Sequence, residues 1–250
     1  MYENFAHLGC ALGAVAAALA VLHLLERRVS RYLSHRLGWR SVLFTGWIGV
    51  PLHELSHLLA ARLFGHRIVA YQLFDPDPVS GTLGYVRHAY SRRNLWQLTG
   101  SFVIGVAPMV TGGAALVALL YGAVPREALN EVMVSARGSG AWQGAWLLGS
   151  GVLDAVWTHR TEWLPLYGYV ALCVASHLSP SASDLKNGAL GAVLVSLLLA
   201  GATAGLSYGG QSLASLGAIY LPLVALVTGV ATLQLTYVTC VAGLHRLGWL

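Results

Sequence analysis

The chain has 250 residues, of which 56% are hydrophobic and only 10% charged, with a net charge of +5. A soluble domain carries about 25% charged residues, so a water-soluble globule is excluded, and so is a disordered chain. The composition implies a polytopic bundle of transmembrane helices, with its arginines in short stretches between apolar segments. Five lie from Arg27 to Arg40 and five from Arg62 to Arg93. Anionic lipid headgroups, not nucleic acid, are the expected partner of such stretches.

A spanning helix needs about 20 mostly apolar residues. Phe5 to Leu25 contains no Asp, Glu, Lys or Arg and is the first predicted span. Its basic cluster follows the apolar run, the pattern of an uncleaved anchor. Arg27 to Arg40 interleaves Val29, Tyr32, Leu33, Leu37 and Trp39 with arginines, which predicts an amphipathic helix on the membrane surface. Ser41 to Phe64 is the second span. Ile68–Phe74 and Thr82–Tyr90 are strand-like and flank the turn signal Asp75-Pro76-Asp77-Pro78-Val79-Ser80-Gly81, so a membrane-associated β-hairpin is expected.

Leu95 to Val124 is the third span, with Pro108 inside it; Arg126 to Arg137 is a polar, helix-compatible loop. Ala141 to Trp157 is short for a span and interrupted by Asp154, which favours an interfacial or re-entrant helix. Trp163–Ser179, Asn187–Leu206 and Ser212–Leu244 complete about six spans. The three cysteines, Cys10, Cys173 and Cys240, lie in apolar segments without CxxC spacing and supply neither disulfide framework nor thiolate metal site. Gly9-x-x-x-Gly13 and Gly201-x-x-x-Gly205 read as helix-packing devices.

The second span contains His53-Glu54-Leu55-Ser56-His57, an H-E-x-x-H pattern. On a helix, residues four apart share a face, so both imidazoles can bind one metal ion. Glu54 is rotated about 100° from His53, beside the metal, where a general base for an activated water belongs. At this composition the pattern arises by chance about once in a hundred such chains. Its membrane location adds weight, because gathering two histidines and a glutamate in one turn of a span is costly. Zinc is the default metal, and a catalytic zinc keeps three protein ligands.

The third ligand must come from elsewhere. Asp184, in Pro180-Ser181-Ala182-Ser183-Asp184, ranks first, although Ser181-x-x-Asp184 also fits a helix capping box variant. Asp154 and Glu162 sit by Trp157 and Trp163, an interfacial signature, and rank below it. His177 is a further candidate ligand or oxyanion donor. Asp75 and Asp77 read as turn residues.

His53 to Gly65, HELSHLLAARLFG, resembles the site-2 protease family of intramembrane zinc metalloproteases. Ala61-Arg62 and Gly65 match the pattern that follows the family's HExxH. Gly84-Tyr85-Val86 looks like part of its membrane-associated β region, and Ala107-Pro108 resembles its small-Gly-Pro element. The chain departs from the family at Ser56, where Gly is common, and in the later motif. There His177 stands near an Asn position, Ala182 replaces a proline and Asp184 is displaced by about one residue.

The resemblance covers about residues 41 to 190. It divides the chain into an anchor and basic segment (1–40), a protease-like core (41–190) and C-terminal spans (191–250). It implies a multi-pass protein, expected in the cell membrane, that uses Zn2+ held by His53, His57 and Asp184. Glu54 would be the catalytic base, His177 a candidate substrate or oxyanion contact, and a transmembrane or membrane-associated protein the substrate. The competing expectation is a non-proteolytic membrane metal-binding protein, either a metal transporter or an inactive protease homologue.

Overall fold

The computed structural model describes residues 2–39, 41–137, 139, 141–213 and 220–246. In chain order the elements are α1 (Tyr2–Leu37), α2 (Ser41–Leu63), β1 (Arg67–Gln72), β2 (Tyr85–Ala89), α3 (Leu95–Ala123), α4 (Arg126–Arg137), α5 (Ala141–Thr158), α6 (Leu164–Ser176), α7 (Ala182–Tyr208) and α8 (Tyr220–Arg246). Residues 214–219 of the predicted segment Ser212–Leu244 lie outside the described residues.

Four described helical stretches are long and apolar enough to cross a membrane: α1, α3, α7 and Ala225–Gly243 of α8. The chain is thus a multi-pass membrane protein, but not all of the expected six spans qualify. α6 replaces the predicted Trp163–Ser179 with only 13 helical residues, about 20 Å at 1.5 Å per residue. α2 is lowered in hydropathy by His53, Glu54 and His57 and packs against α1, α3, α6 and both strands. The surface of α7 fits a lipid solvent. Its buried residues are the small Gly188, Gly191 and Thr203, whereas Leu197, Leu198 and Leu199 are exposed.

α1 corrects a second expectation. A span ending at Leu25 and a separate surface helix were predicted, but one 36-residue helix runs through both. The charge pattern changes at Glu26-Arg27 without any Gly or Pro to break the backbone. The helix ends only before Gly38, whose φ of +77° suits a residue without Cβ.

The hairpin forms as predicted, with slightly shorter strands. β1 and β2 pair antiparallel from Arg67↔Ala89 to Gln72↔Tyr85, with a bulge between Ile68 and Ala70. Asp77 organises the turn by accepting from the Val79 amide at 2.9 Å and the Ser80 hydroxyl at 2.6 Å. At the other end, the hairpin is fastened to the sequel of α2. His66 Nε2 donates to the Gln97 carbonyl at 2.8 Å, leaving His66 Nδ1 to accept from His88 Nδ1 at 2.9 Å. Tyr90 stacks on the His66 ring.

The main apolar core lies between α1, α3, α6 and α8, formed by Leu22, Met109, Ala175, Leu178 and Val230. Two close approaches set the frame of the site. A Cβ on Gly49 of α2 would stand 2.2 Å from the Cys173 carbonyl of α6. Gly191 of α7 meets the Leu98 carbonyl of α3 at a hypothetical Cβ distance of 2.4 Å. Both contacts admit only glycine without a backbone shift.

Candidate metal centre

His53, His57 and Asp184 converge, as the only group among the described residues in which three or more His, Cys, Asp or Glu side chains could share a metal ion. His57 Nε2 lies 3.1 Å from His53 Nε2 and 3.4 Å from Asp184 Oδ2; His53 Nε2 lies 3.9 Å from the same oxygen. A tetrahedral ion with bonds of about 2.0–2.1 Å needs ligand atoms about 3.3 Å apart. The three separations bracket that value.

The ring orientations can be derived. His53 Nδ1 is 2.7 Å from the His177 carbonyl, and His57 Nδ1 is 2.8 Å from the Ile104 carbonyl. A carbonyl can only accept, so both Nδ1 atoms carry the hydrogen and both Nε2 atoms present lone pairs. Two such lone pairs and a carboxylate oxygen meeting in one small space repel unless something positive lies among them. Such a donor set could hold a cation, with backbone carbonyls fixing the tautomers of the neutral rings from behind.

Local sequence explains why those carbonyls are free. Proline has no N–H, so Pro108 cannot bond the carbonyl four residues earlier, which is that of Ile104. His57 takes the vacated acceptor. The His177 carbonyl is free for a different reason: His177 caps the C-terminus of α6, where carbonyls lack intrahelical donors. Asp184 is delivered by the glycine seam between α3 and α7. A Cβ on Gly105 would be 2.9 Å from the Asp184 carbonyl, and one on Gly188 would be 3.2 Å from that of Ser101.

Asp184 also completes a capping box. Its Oδ2 accepts from the Ser181 amide at 2.7 Å and hydroxyl at 2.5 Å, while its own amide donates to the Ser181 hydroxyl oxygen at 3.2 Å. Cap and ligand were weighed as alternatives in the sequence; the same oxygen serves the cap and faces both imidazoles. The cap therefore holds the carboxylate in place for the centre.

Glu54 is buried on the neighbouring face of α2, under the hairpin. A Cβ on Gly84 would come within 3.0 Å of Glu54 Cγ. Ser56 fills its position before His57 by bonding the Leu52 carbonyl at 2.6 Å and contacting the Thr111 hydroxyl of α3. His177 does not join the ligand group. Its Nε2 is 3.2 Å from the Thr45 hydroxyl, and its contribution to the centre is the carbonyl that holds His53. Asp154 and Glu162 are exposed on or beside α5 and stand outside the group, as do Asp75 and Asp77.

Sequence reasoning missed Glu26. It closes the apolar run of α1 beside Arg27 and Arg28, yet it lines a cavity with Thr45, Ser176, His177 and Gln234. No protein-family model, no curated protein and no solved structure matches the chain. The fold and the site together define a multi-pass, helical membrane protein in which an HExxH helix and the start of α7 bring together a partly buried His–His–Asp group.

Proposed function

We infer that the chain is an intramembrane zinc metalloprotease that hydrolyses peptide bonds of membrane-protein substrates. The observation that carries this reading is the convergence of two Nε2 lone pairs and the Asp184 carboxylate beside a buried Glu54. Three nitrogen and oxygen donors from the protein are the pattern of a catalytic zinc site, whereas structural sites use four protein ligands. When bound, zinc polarises the scissile carbonyl and acidifies a water.

The chain's own residues do the rest. His53 and His57 are held in the ligating tautomer by the two carbonyls, and Asp184 by its cap. Glu54 takes the proton of the attacking water and passes it to the leaving amine. The hairpin covers Glu54 and limits bulk water there. Its outer edges carry unpaired backbone groups, so an unwound substrate segment can add as a further strand and present its carbonyl to the site. In this reading α2 and α6 lie at bilayer depth beside the four apolar helices, giving about six membrane segments of a multi-pass protein of the cell membrane.

The test is Glu54→Gln in protein reconstituted with tagged single-pass membrane substrates that the wild type cleaves. Cleavage should fall by at least a thousandfold while one zinc per chain remains bound. Undiminished cleavage rejects Glu54 as the base. Metal-dependent transport into vesicles that survives Glu54→Gln, with no cleavage by wild type, replaces the protease with a non-proteolytic metal-binding protein.

A further inference from the structure

A second polar feature adjoins the metal centre through His177. Glu26 of α1, Thr45 of α2, Ser176 and His177 at the end of α6, and Gln234 of α8 line a small cavity. The space open to a water centre there is about 20 Å³. One water needs about 10–15 Å³ by that measure, together with two to four polar partners.

The partners are present and unmet. Gln234 is 2% exposed and donates through Nε2 to the Ala175 carbonyl at 3.0 Å, which fixes its amide and turns Oε1 away from that bond. Oε1 has no partner in the protein, and neither has the buried Ser176 hydroxyl. Buried polar groups are nearly always bonded, so two orphans at one cavity call for a missing molecule. Gln234 Oε1 can only accept, and the Glu26 carboxyl group borders the same space. Ser176 has one hydrogen to give. A water, with two hydrogens and two lone pairs, satisfies the set.

The cavity adjoins the loop that serves the metal centre, and α1 borders both. His23 Nδ1 donates to the Pro180 carbonyl at 3.0 Å, and Glu26 lines the cavity with Ser176 and His177 at the start of the loop. Between Ser176 and Asp184 this loop carries both the carbonyl that orients His53 and the cap that holds Asp184. We propose that the cavity between α1, α2, α6 and α8 binds a buried water, and that Glu26 is a positioning residue of the metal centre, acting through this water. The consequence for metal rests on the reading given under Proposed function; the water site does not.

The experiment separates the two. Thermal unfolding of the metal-free protein in nanodiscs is compared for wild type, Ser176→Ala and Gln234→Leu. If water fills the cavity, removing the Ser176 hydroxyl strands its partners and lowers Tm by several degrees. If the cavity is dry, deleting an orphaned hydroxyl raises Tm, and the water site is overturned. A sodium-dependent Tm lost in Glu26→Gln also overturns it, in favour of a bound cation. Zinc affinity, by competition with a chromophoric chelator, and the cobalt d–d spectrum are then read for Glu26→Gln and Glu26→Leu. Leu should weaken zinc about tenfold and alter the spectrum, and Gln, which keeps an acceptor, should restore affinity to within about threefold. Unchanged affinity and spectrum in Glu26→Leu overturn the positioning role. If wild type itself binds no metal, the metalloprotease reading and the positioning role fall together, while the Tm comparison still decides the water.

Discussion

Replacing Pro108 by Ala should strengthen α3 and weaken the metal centre at the same time. An alanine at 108 has an N–H that bonds the Ile104 carbonyl in the ordinary helical pattern, the acceptor now used by His57 Nδ1 at 2.8 Å. Removing a proline from a helix interior gains up to about 3 kcal/mol, less any bend the neighbours have adapted to. Loss of the hydrogen bond behind a metal-binding histidine costs about 10–100-fold in affinity, or about 1.4–2.7 kcal/mol. A carbonyl has two lone pairs, so His57 is displaced and not abandoned, and the tenfold end of that range is expected. The assay is zinc competition against a chromophoric chelator on purified protein, with Tm measured on the same samples. Weaker zinc binding with an equal or higher Tm is the expected signature, because general loosening would lower both. Unchanged affinity with a raised Tm refutes the idea that the Ile104 carbonyl orients His57.

Other substitutions probe the remaining supports. Asp184→Asn keeps an oxygen for the Ser181 amide but loses the charge, so zinc affinity should fall at least a hundredfold while Tm of the apo protein moves little; Ser181→Ala should show the reverse weighting, costing about 1 kcal/mol of stability through the cap. Gly49→Ala places a methyl 2.2 Å from the Cys173 carbonyl and 2.6 Å from the His177 ring. Overpacking costs about 1–3 kcal/mol, and here the obstacle is backbone, so chemical denaturation should show at least the upper figure. For the hairpin, burial and the neighbouring His66 push the His88 imidazole down to about 4, from the usual 6.5. The unfolded chain then takes up this proton first, so the contribution is intact above about pH 6.5 and is lost as pH falls toward 4. Unfolding curves from pH 7 to 4 should steepen less in His88→Phe than in wild type; parallel pH dependences would show that the His66–His88 pair carries none of this loss.

What was legible in the sequence was local. The HExxH spacing needs only a helix to bring two imidazoles together, the Asp75–Gly81 run is a turn by its own chemistry, and Ser181-x-x-Asp184 announces a cap. Composition alone gave membrane residence. The readings that changed depended on environment. A shift from apolar to basic at Glu26-Arg27 marks where α1 meets a different solvent, but only Gly38 can end the helix. Trp163–Ser179 reads as a span because it contains no Asp, Glu, Lys or Arg, while the backbone leaves the helix at His177 to expose a carbonyl. Glu26 could not be singled out in the sequence, because Ser176 and Gln234, with which it lines a cavity, belong to distant helices, and nothing in its neighbours distinguishes it from an ordinary interfacial acid.

The centre uses the helices where they are incomplete. His57 bonds a carbonyl that Pro108 leaves vacant, His53 bonds one beyond the end of α6, and Asp184 is held by the orphan amide at the start of α7. In a lipid-surrounded bundle an intact helix satisfies its own backbone and has nothing with which to orient a polar side chain. A buried polar centre therefore has to draw its supporting bonds from helix defects, and those defects in turn are tolerable at bilayer depth only if side chains occupy them. The two requirements select each other. The same logic extends to Gln234, which satisfies the Ala175 carbonyl near the end of α6 and is left with an unmatched oxygen at the Glu26 cavity. The repair at the end of α6 thus leaves one polar atom facing onward, and it connects the candidate ligands' surroundings to α8.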